Sequence, residues 1–193
     1  TINILPCFKS SIKSINENST AVHTFTSNET VTWSLNGGAD SSKFAINNST
    51  GALSFSSVPD YESPTDSNSG NDYVVFVRAT DMAGNASEQA LTVSLENLNE
   101  NPTDISLSSS AFSENIDSGS SVATLSSTDP DNNDSHTYSL VNGSGDTDNS
   151  YFSINGSSLL INHSPDFETK SSYNIRLQTK DSNGLNHAKT FVL

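Results

Sequence analysis

The chain has 193 residues, 22 of them acidic against 8 basic, for a formal net charge of -14 and a pI near 4.3. Such a balance repels phosphate backbones and attracts cations, so nucleic acid is excluded as a partner. No stretch reaches the apolar length of a membrane-spanning helix, and the length suits one large domain or two of ordinary size. The one cysteine, Cys7, excludes an internal disulfide and reads as a small buried hydrophobe. The opening "TINILPCFKSS" lacks the basic segment, apolar core and small-residue cleavage site of a secretory signal, which leaves a segment already removed or an internal fragment.

In chain order, "SINENS" places Glu17 at the start of an early strand, and "TWSLNGGADSSKFAI" reads as two strands around a polar turn. "FAINNSTGALSF" alternates apolar and polar residues across a second turn, and "PDYE" lies between middle strands. "YVVFVRATDMAGN" is a strand that Asp81 ends, "QALTVSL" is the last strand, and "ENLNENPT" follows as a joint. The second half then repeats the first. "FSENID" answers "SINENS", pairing Glu114 with Glu17, and "TYSLVNGSGDTDNSYFSI" pairs Tyr138 with Trp33, Phe152 with Phe44 and Ile154 with Ile46. "PDFE" answers "PDYE", and "YNIRLQTKDSNG" pairs Tyr173 with Tyr73, Asp181 with Asp81 and Gly184 with Gly84.

Period-two alternation puts one face of each strand in a core and the other in water, and no run has helical spacing. The sequence therefore predicts an all-β protein of two tandem Greek-key, immunoglobulin-like sandwiches, with about seven short strands in each. The first covers residues 1–98 and the second 99–193, with a linker at 97–102.

Strands and turns do not require a carboxylate at the same place in both copies. If loops from one end of a domain meet loops from the opposite end of its neighbour, the joint collects Glu17, Asp60, Glu62 and Glu100 from one side and Asp129, Asp131 and Asp181 from the other. Two like charges about 4 Å apart cost ~1 kcal/mol in water and ~4 kcal/mol at an effective dielectric of about 20, so the cluster needs cations. Oxygen ligands without cysteine or clustered histidine select calcium over zinc or copper.

These residues resemble the cadherin repeat, which carries a Glu in an xEN segment, a DxE-type motif, an AxD segment before a final hairpin, a DxNDNxP linker and a DxD after it. Here those places are held by Glu17, "DYE" (Asp60–Glu62), "ATD" ending at Asp81, "NLNENP" (Asn97–Pro102) and "DPD" (Asp129–Asp131). The details of "GGADSSKFAINNSTGALSF" and "GDTDNSYFSI" look most like the cadherin-like repeats of large bacterial surface proteins, the adhesins among them. The resemblance implies calcium at the linker. Glu17, Asp60, Glu62 and Glu100 would hold ions with Asp131 bridging; Asn99, Asp129, Asp131 and Asp181 would hold another; and the backbone carbonyls of Leu98 and Asn101 would add oxygens.

Two departures stand out: Asn97 loses a charge where the pattern has Asp, and Glu100 adds a methylene. The first copy also has no DxD, so no complete site is expected at its amino-terminal end, whereas Glu114, Asp166 and Glu168 repeat the upstream half in the second copy.

Catalysis is not expected, because no nucleophile pattern accompanies any histidine and the acids are repeated rather than paired across a cleft. His23, His136, His163 and His187 read as surface residues, and Trp33 as a structural aromatic rather than a sugar platform. The insertion "SPTDSNSGND" (Ser63–Asp72) reads as a flexible surface excursion. The leading functional expectation is a calcium-rigidified extender or adhesion segment of a larger extracellular or cell-surface protein, part of a longer repeat array. Its partners would be calcium and another surface protein, another copy or carbohydrate. The alternative is a non-catalytic carbohydrate-binding or accessory module of a secreted polysaccharide-degrading enzyme.

Overall fold

The computed structural model describes residues 10–193, so the expectation for Cys7 lies outside the described residues. The chain divides into two compact units, Thr1–Leu98 and Asn99–Leu193. The first contains β1 (Ser11–Asn16), β2 (Ala21–Thr24), β3 (Val31–Leu35), β4 (Phe44–Ile46), β5 (Ala52–Phe55), β6 (Asp72–Asp81) and β7 (Ala86–Glu96). They form two sheets, β1-β7-β6-β3 and β2-β5-β4. The second contains β8 (Asp104–Leu107), β9 (Ser121–Thr128), β10 (Thr137–Leu140), β11 (Phe152–Asn155), β12 (Ser158–Ile161), β13 (Asn174–Lys180) and β14 (Asn186–Val192). Its sheets are β10-β13-β14 and β11-β12-β9-β8.

Alternation along the long strands builds each core. In β6, Tyr73, Val75, Val77 and Ala79 are buried and their neighbours are not. In β13 the inward residues are Ile175, Leu177 and Thr179. Each fully buried aliphatic side chain contributes about 1.5–3 kcal/mol from removal of its surface from water. Trp33 is 8% exposed and packs on Phe25 in the first core, which removes it as a sugar platform. In the second core Thr179 stands where Ala79 does. Its hydroxyl meets Ser127 Oγ at 2.7 Å, and that hydroxyl donates to Tyr138 Oη at 3.0 Å, so a buried polar chain replaces the indole packing.

The sheets are not wholly antiparallel. β1 pairs in parallel with β7, from Ser11 opposite Leu91 to Asn16 opposite Glu96. β7 lies between β1 and β6, so the first strand takes the edge of that sheet beside the last. Glu17 does not start a strand, as the sequence suggested, but follows β1 directly. The chain turns sharply there: Asn18 has φ 61° and its counterpart Asn115 has φ 58°, a left-handed conformation that Asn tolerates better than most residues. Asn18 N–H donates to Pro59 O at 3.1 Å and Asn115 N–H to Pro165 O at 2.9 Å, so the repeat seen in sequence is a repeat in backbone hydrogen bonds.

The insertion is also not a loose excursion. Asp66, 6% exposed, accepts the N–H groups of Gly70 at 3.0 Å and Asn71 at 3.2 Å, and Thr65 N–H donates to Tyr73 Oη at 3.1 Å. A buried carboxylate at its centre is satisfied only by the loop's own amides, which fixes its path.

Candidate metal centre

In the first domain the turn after β1 delivers Glu17 to the end of the sandwich. Its side chain is 2% exposed and accepts Tyr61 N–H at 2.7 Å through one oxygen and Leu98 N–H at 2.9 Å through the other. Glu62, from the segment between β5 and β6, has a carboxylate oxygen within 4.8 Å of one from Glu17 and accepts Asn97 Nδ2 at 2.8 Å. Asn97 thus serves as a donor to Glu62, a role the expected Asp would not play. Asp60 is exposed and accepts Ser63 N–H at 2.9 Å; it does not join the Glu17–Glu62 group. Leu98 is engaged through its N–H, and Asn101 is exposed before β8.

The second domain holds a gathering of three. Asp129 and Asp134 lie between β9 and β10, and Asp181 follows β13. One oxygen from each lies within 4.8 Å of the others. Asp181 is 5% exposed, and its Oδ1 accepts N–H groups of Asn183 at 2.9 Å, Gly184 at 2.5 Å and Leu185 at 2.8 Å. Its Oδ2 accepts Asn99 Nδ2 at 2.9 Å. Burial works to raise its pKa, but Asn99 and the three loop amides together hold it below the ordinary value of 3.8. Asn99 also accepts Asn183 Nδ2, so one side chain is clamped at both ends. Asp131 is not one of the three gathered carboxylates and accepts Glu100 N–H at 2.6 Å.

Asp134 is absent from the sequence-derived set. Its Oδ1 accepts Ser135 N–H at 2.8 Å and the Ser182 hydroxyl, and its Oδ2 is buried with no hydrogen-bond partner among the described residues. The signal was available, since "DPDNND" ends on it, but the DxD spacing drew attention to Asp129 and Asp131 alone. His136 corrects another expectation. It is not a surface residue: its Nε2 lies 2.8 Å from Asp129 Oδ2, with side-chain exposures of 13% and 4%. A β10 that starts beside the DxD loop folds the ring back over it.

Among the described residues no Lys or Arg ion pair reaches Asp129, Asp131, Asp134 or Asp181; the pairs that form involve Glu88, Asp104 and Asp148. Three carboxylates within 4.8 Å, one with a buried oxygen lacking a donor, match the all-oxygen chemistry of a calcium ligand set. A third group, Glu114, Asp166 and Glu168, is exposed at another end of the second domain. Glu114 accepts Phe167 N–H at 3.2 Å as Glu17 accepts Tyr61 N–H.

No family model and no curated protein sequence matches this chain. Solved structures do. A protocadherin gammaB7 EC3–6 cis-dimer structure superposes with TM-score 0.61 at 22% identity over 97% of this chain and 46% of its own. Mouse cadherin-23 EC22–24 gives 0.59 at 20% identity over 100% of this chain and 65% of that one. A protocadherin gamma B2 fragment with domains 3–6 gives 0.61 at 18% identity over 95% and 44%. The chain thus spans less than two thirds of each of these, and its fold is that of cadherin extracellular domains.

Proposed function

We propose that this chain is a calcium-binding tandem module, acting as an extender or adhesion segment outside the cell. The observation that carries this reading is the Asp129–Asp134–Asp181 group, with a buried, donor-free oxygen on Asp134 and no lysine or arginine paired to it among the described residues. Asp129, Asp131, Asp134 and Asp181, with the Asn99 carbonyl oxygen, would hold calcium in the second domain. Glu17, Asp60, Glu62 and Glu100 would supply further ligands around the Asn97–Pro102 linker, together with the Leu98 and Asn101 carbonyls. A bound dication would replace mutual repulsion by shared attraction and so restrict the hinge between the domains; no bond is made or broken. Extracellular placement is supported by the extracellular domains among its structural neighbours, and the bacterial surface-protein setting by the sequence details of the repeats.

Small-angle scattering of the chain in calcium and in chelator tests this. A larger, more uniform maximum dimension in calcium is expected, and Asp129→Asn with Asp131→Asn should abolish the response while both domains stay folded. High salt should not mimic calcium, because screening weakens repulsion without bridging. Superimposable curves in calcium and chelator would overturn the stiffening role. Equal thermal stabilisation by magnesium, which demands a stricter octahedral shell, would reduce the effect to general charge compensation.

A further inference from the structure

Asp129 belongs to a loop and not to a strand, since β9 ends at Thr128 and β10 begins at Thr137. A carboxylate there needs contacts to keep one orientation, and it has two. Its Oδ1 accepts Asp131 N–H at 3.2 Å, from its own turn, and its Oδ2 meets His136 Nε2 at 2.8 Å. An ionised carboxylate only accepts, so the hydrogen of the second contact sits on Nε2. With the Asp129 side chain 4% exposed and the imidazole 13%, little water competes for that bond.

The ring is held in turn by the sheet. β10 pairs with β13 from Thr137 opposite Lys180, and the Thr137 hydroxyl donates to Lys180 O at 3.3 Å. One step before that pair stand His136 and Asp181, the positions that Val31 and Asp81 hold as partners in the first domain. Here the two copies differ. Val31 packs against the first core, in the copy that has no DxD, and the imidazole stands in the copy that has one. The strand position changes from an apolar side chain to a hydrogen-bond donor where there is a loop carboxylate to hold. An ammonium or guanidinium would also fix Asp129, but with a permanent positive charge that competes with a bound cation. A neutral imidazole donates without one.

Resting on the calcium reading above, we infer that His136 is a positioning residue for that site. Its Nε2–H holds one oxygen of Asp129 and sets the rotation of the carboxylate, leaving a lone pair on each oxygen for the ion. Outer contacts of this kind change metal affinity by about 10–100-fold.

The test is calcium titration of the full chain, of His136→Ala and of His136→Gln at about pH 8, read from the amide signals of Asn183, Gly184 and Leu185. These amides donate to Asp181, so they report the second-domain site and not the Glu17–Glu62 group. His136→Ala should raise the dissociation constant about tenfold, and His136→Gln, whose amide nitrogen takes the place of Nε2, should restore most of the affinity. In chelator, the imidazole nitrogen spectrum of the parent chain should show the hydrogen on Nε2. Parent-like affinity in His136→Ala would overturn the positioning role and leave the calcium reading standing. Equal weakening in both variants would overturn it as well, because a donor at that place would then not be what matters, and a hydrogen on Nδ1 alone would do so without any variant. A parent chain whose Gly184 signal ignores calcium would overturn the calcium reading and this inference with it.

Discussion

In the first domain Asp40, 2% exposed, accepts Val74 N–H at 2.8 Å with one oxygen and Ser67 N–H at 2.6 Å with the other. In the second domain Asp148, 4% exposed, accepts Asn174 N–H at 2.7 Å in the same way, but its other oxygen meets Lys170 Nζ at 3.0 Å. The two aspartates also share a backbone bond, Asp40 N–H to Val74 O and Asp148 N–H to Asn174 O. One buried carboxylate, required to pin the short turn before β4 or β11 to the long strand, is thus completed by an inserted loop in one domain and by an ammonium in the other. The lesson is that the insertion Ser63–Asp72 is a solution to a packing problem shared by both copies, and Lys170 is the other solution.

The largest test of that equivalence is removal of the carboxylate. Asp40→Ala leaves two amides, those of exposed Ser67 and half-buried Val74, without their acceptor. At about 1–3 kcal/mol for each unsatisfied group, a loss on the order of 2–4 kcal/mol is expected. Asp148→Ala strands only Asn174 N–H, because Lys170, a third exposed, can turn to water, and so should cost less. Urea unfolding, read through Trp33 for the first domain and through resolved amide signals for the second, separates the two. Equal losses would show that Lys170 is as deeply committed as the loop.

A second contrast runs between Asp81 and Asp181, which close equivalent hairpins. Both oxygens of Asp81 are taken by its own loop: Oδ1 accepts Ala83 N–H at 2.9 Å and Asn85 N–H at 2.8 Å, and Oδ2 accepts Asn85 Nδ2 at 2.8 Å. The Asn85 side chain is foremost among the contacts that hold its pKa below 3.8. Asp181 instead turns its second oxygen to Asn99 and shares its surroundings with Asp129 and Asp134. Asp181→Asn should therefore remove most of the calcium-induced rise in melting temperature, and Asp81→Asn should leave it intact. Saturation at about a hundred times the dissociation constant corresponds to ~2.7 kcal/mol of stabilisation for one site, which calorimetry resolves easily. A calcium response lost equally in both variants would mean that the two hairpins are functionally alike.

Much of this was legible in the residues. Alternation in "YVVFVRATD" assigns the inward set Tyr73, Val75, Val77 and Ala79, and the internal repeat leads to Glu17 and Glu62, which the fold brings within 4.8 Å. What was not legible depends on partners distant in sequence. Period-two alternation says which face of β1 is buried but not that β7 lies beside it in parallel. Asp134 ends the "DPDNND" run outside its DxD spacing, and only the fold shows its oxygen left without a donor among the described residues. The Asp148–Lys170 pair joins two loops with no local pattern linking them.

The smallest expected effect is a pH dependence confined to the second domain. Lys170 has its pKa raised above 10.5, first by its hydrogen bond to Asp148 and then by the charge of that carboxylate, against the opposing pull of burial. A group whose folded pKa is raised contributes stability that is fully present below the unfolded value and is lost as pH rises through the folded one. The second domain should therefore weaken from about pH 10.5 upward, and Lys170→Met, already lacking the pair, should show a shallower decline. Tyr173, whose phenol burial holds above 10.0 against the lowering charge of Lys170, adds a loss in the same range that Lys170→Met enlarges, so a decline that is nonetheless shallower in the variant reports the lysine. Ser67, the donor in the first domain, is a backbone amide that does not titrate, so the first domain should show no such term at Asp40. Urea midpoints followed from about pH 9 upward in the parent chain and in Lys170→Met measure this directly. Parallel slopes in the two proteins would mean that Lys170 only covers Tyr151 and Tyr173, at 5.7 Å and 5.2 Å from their ring centres, and that Asp148 is held without it.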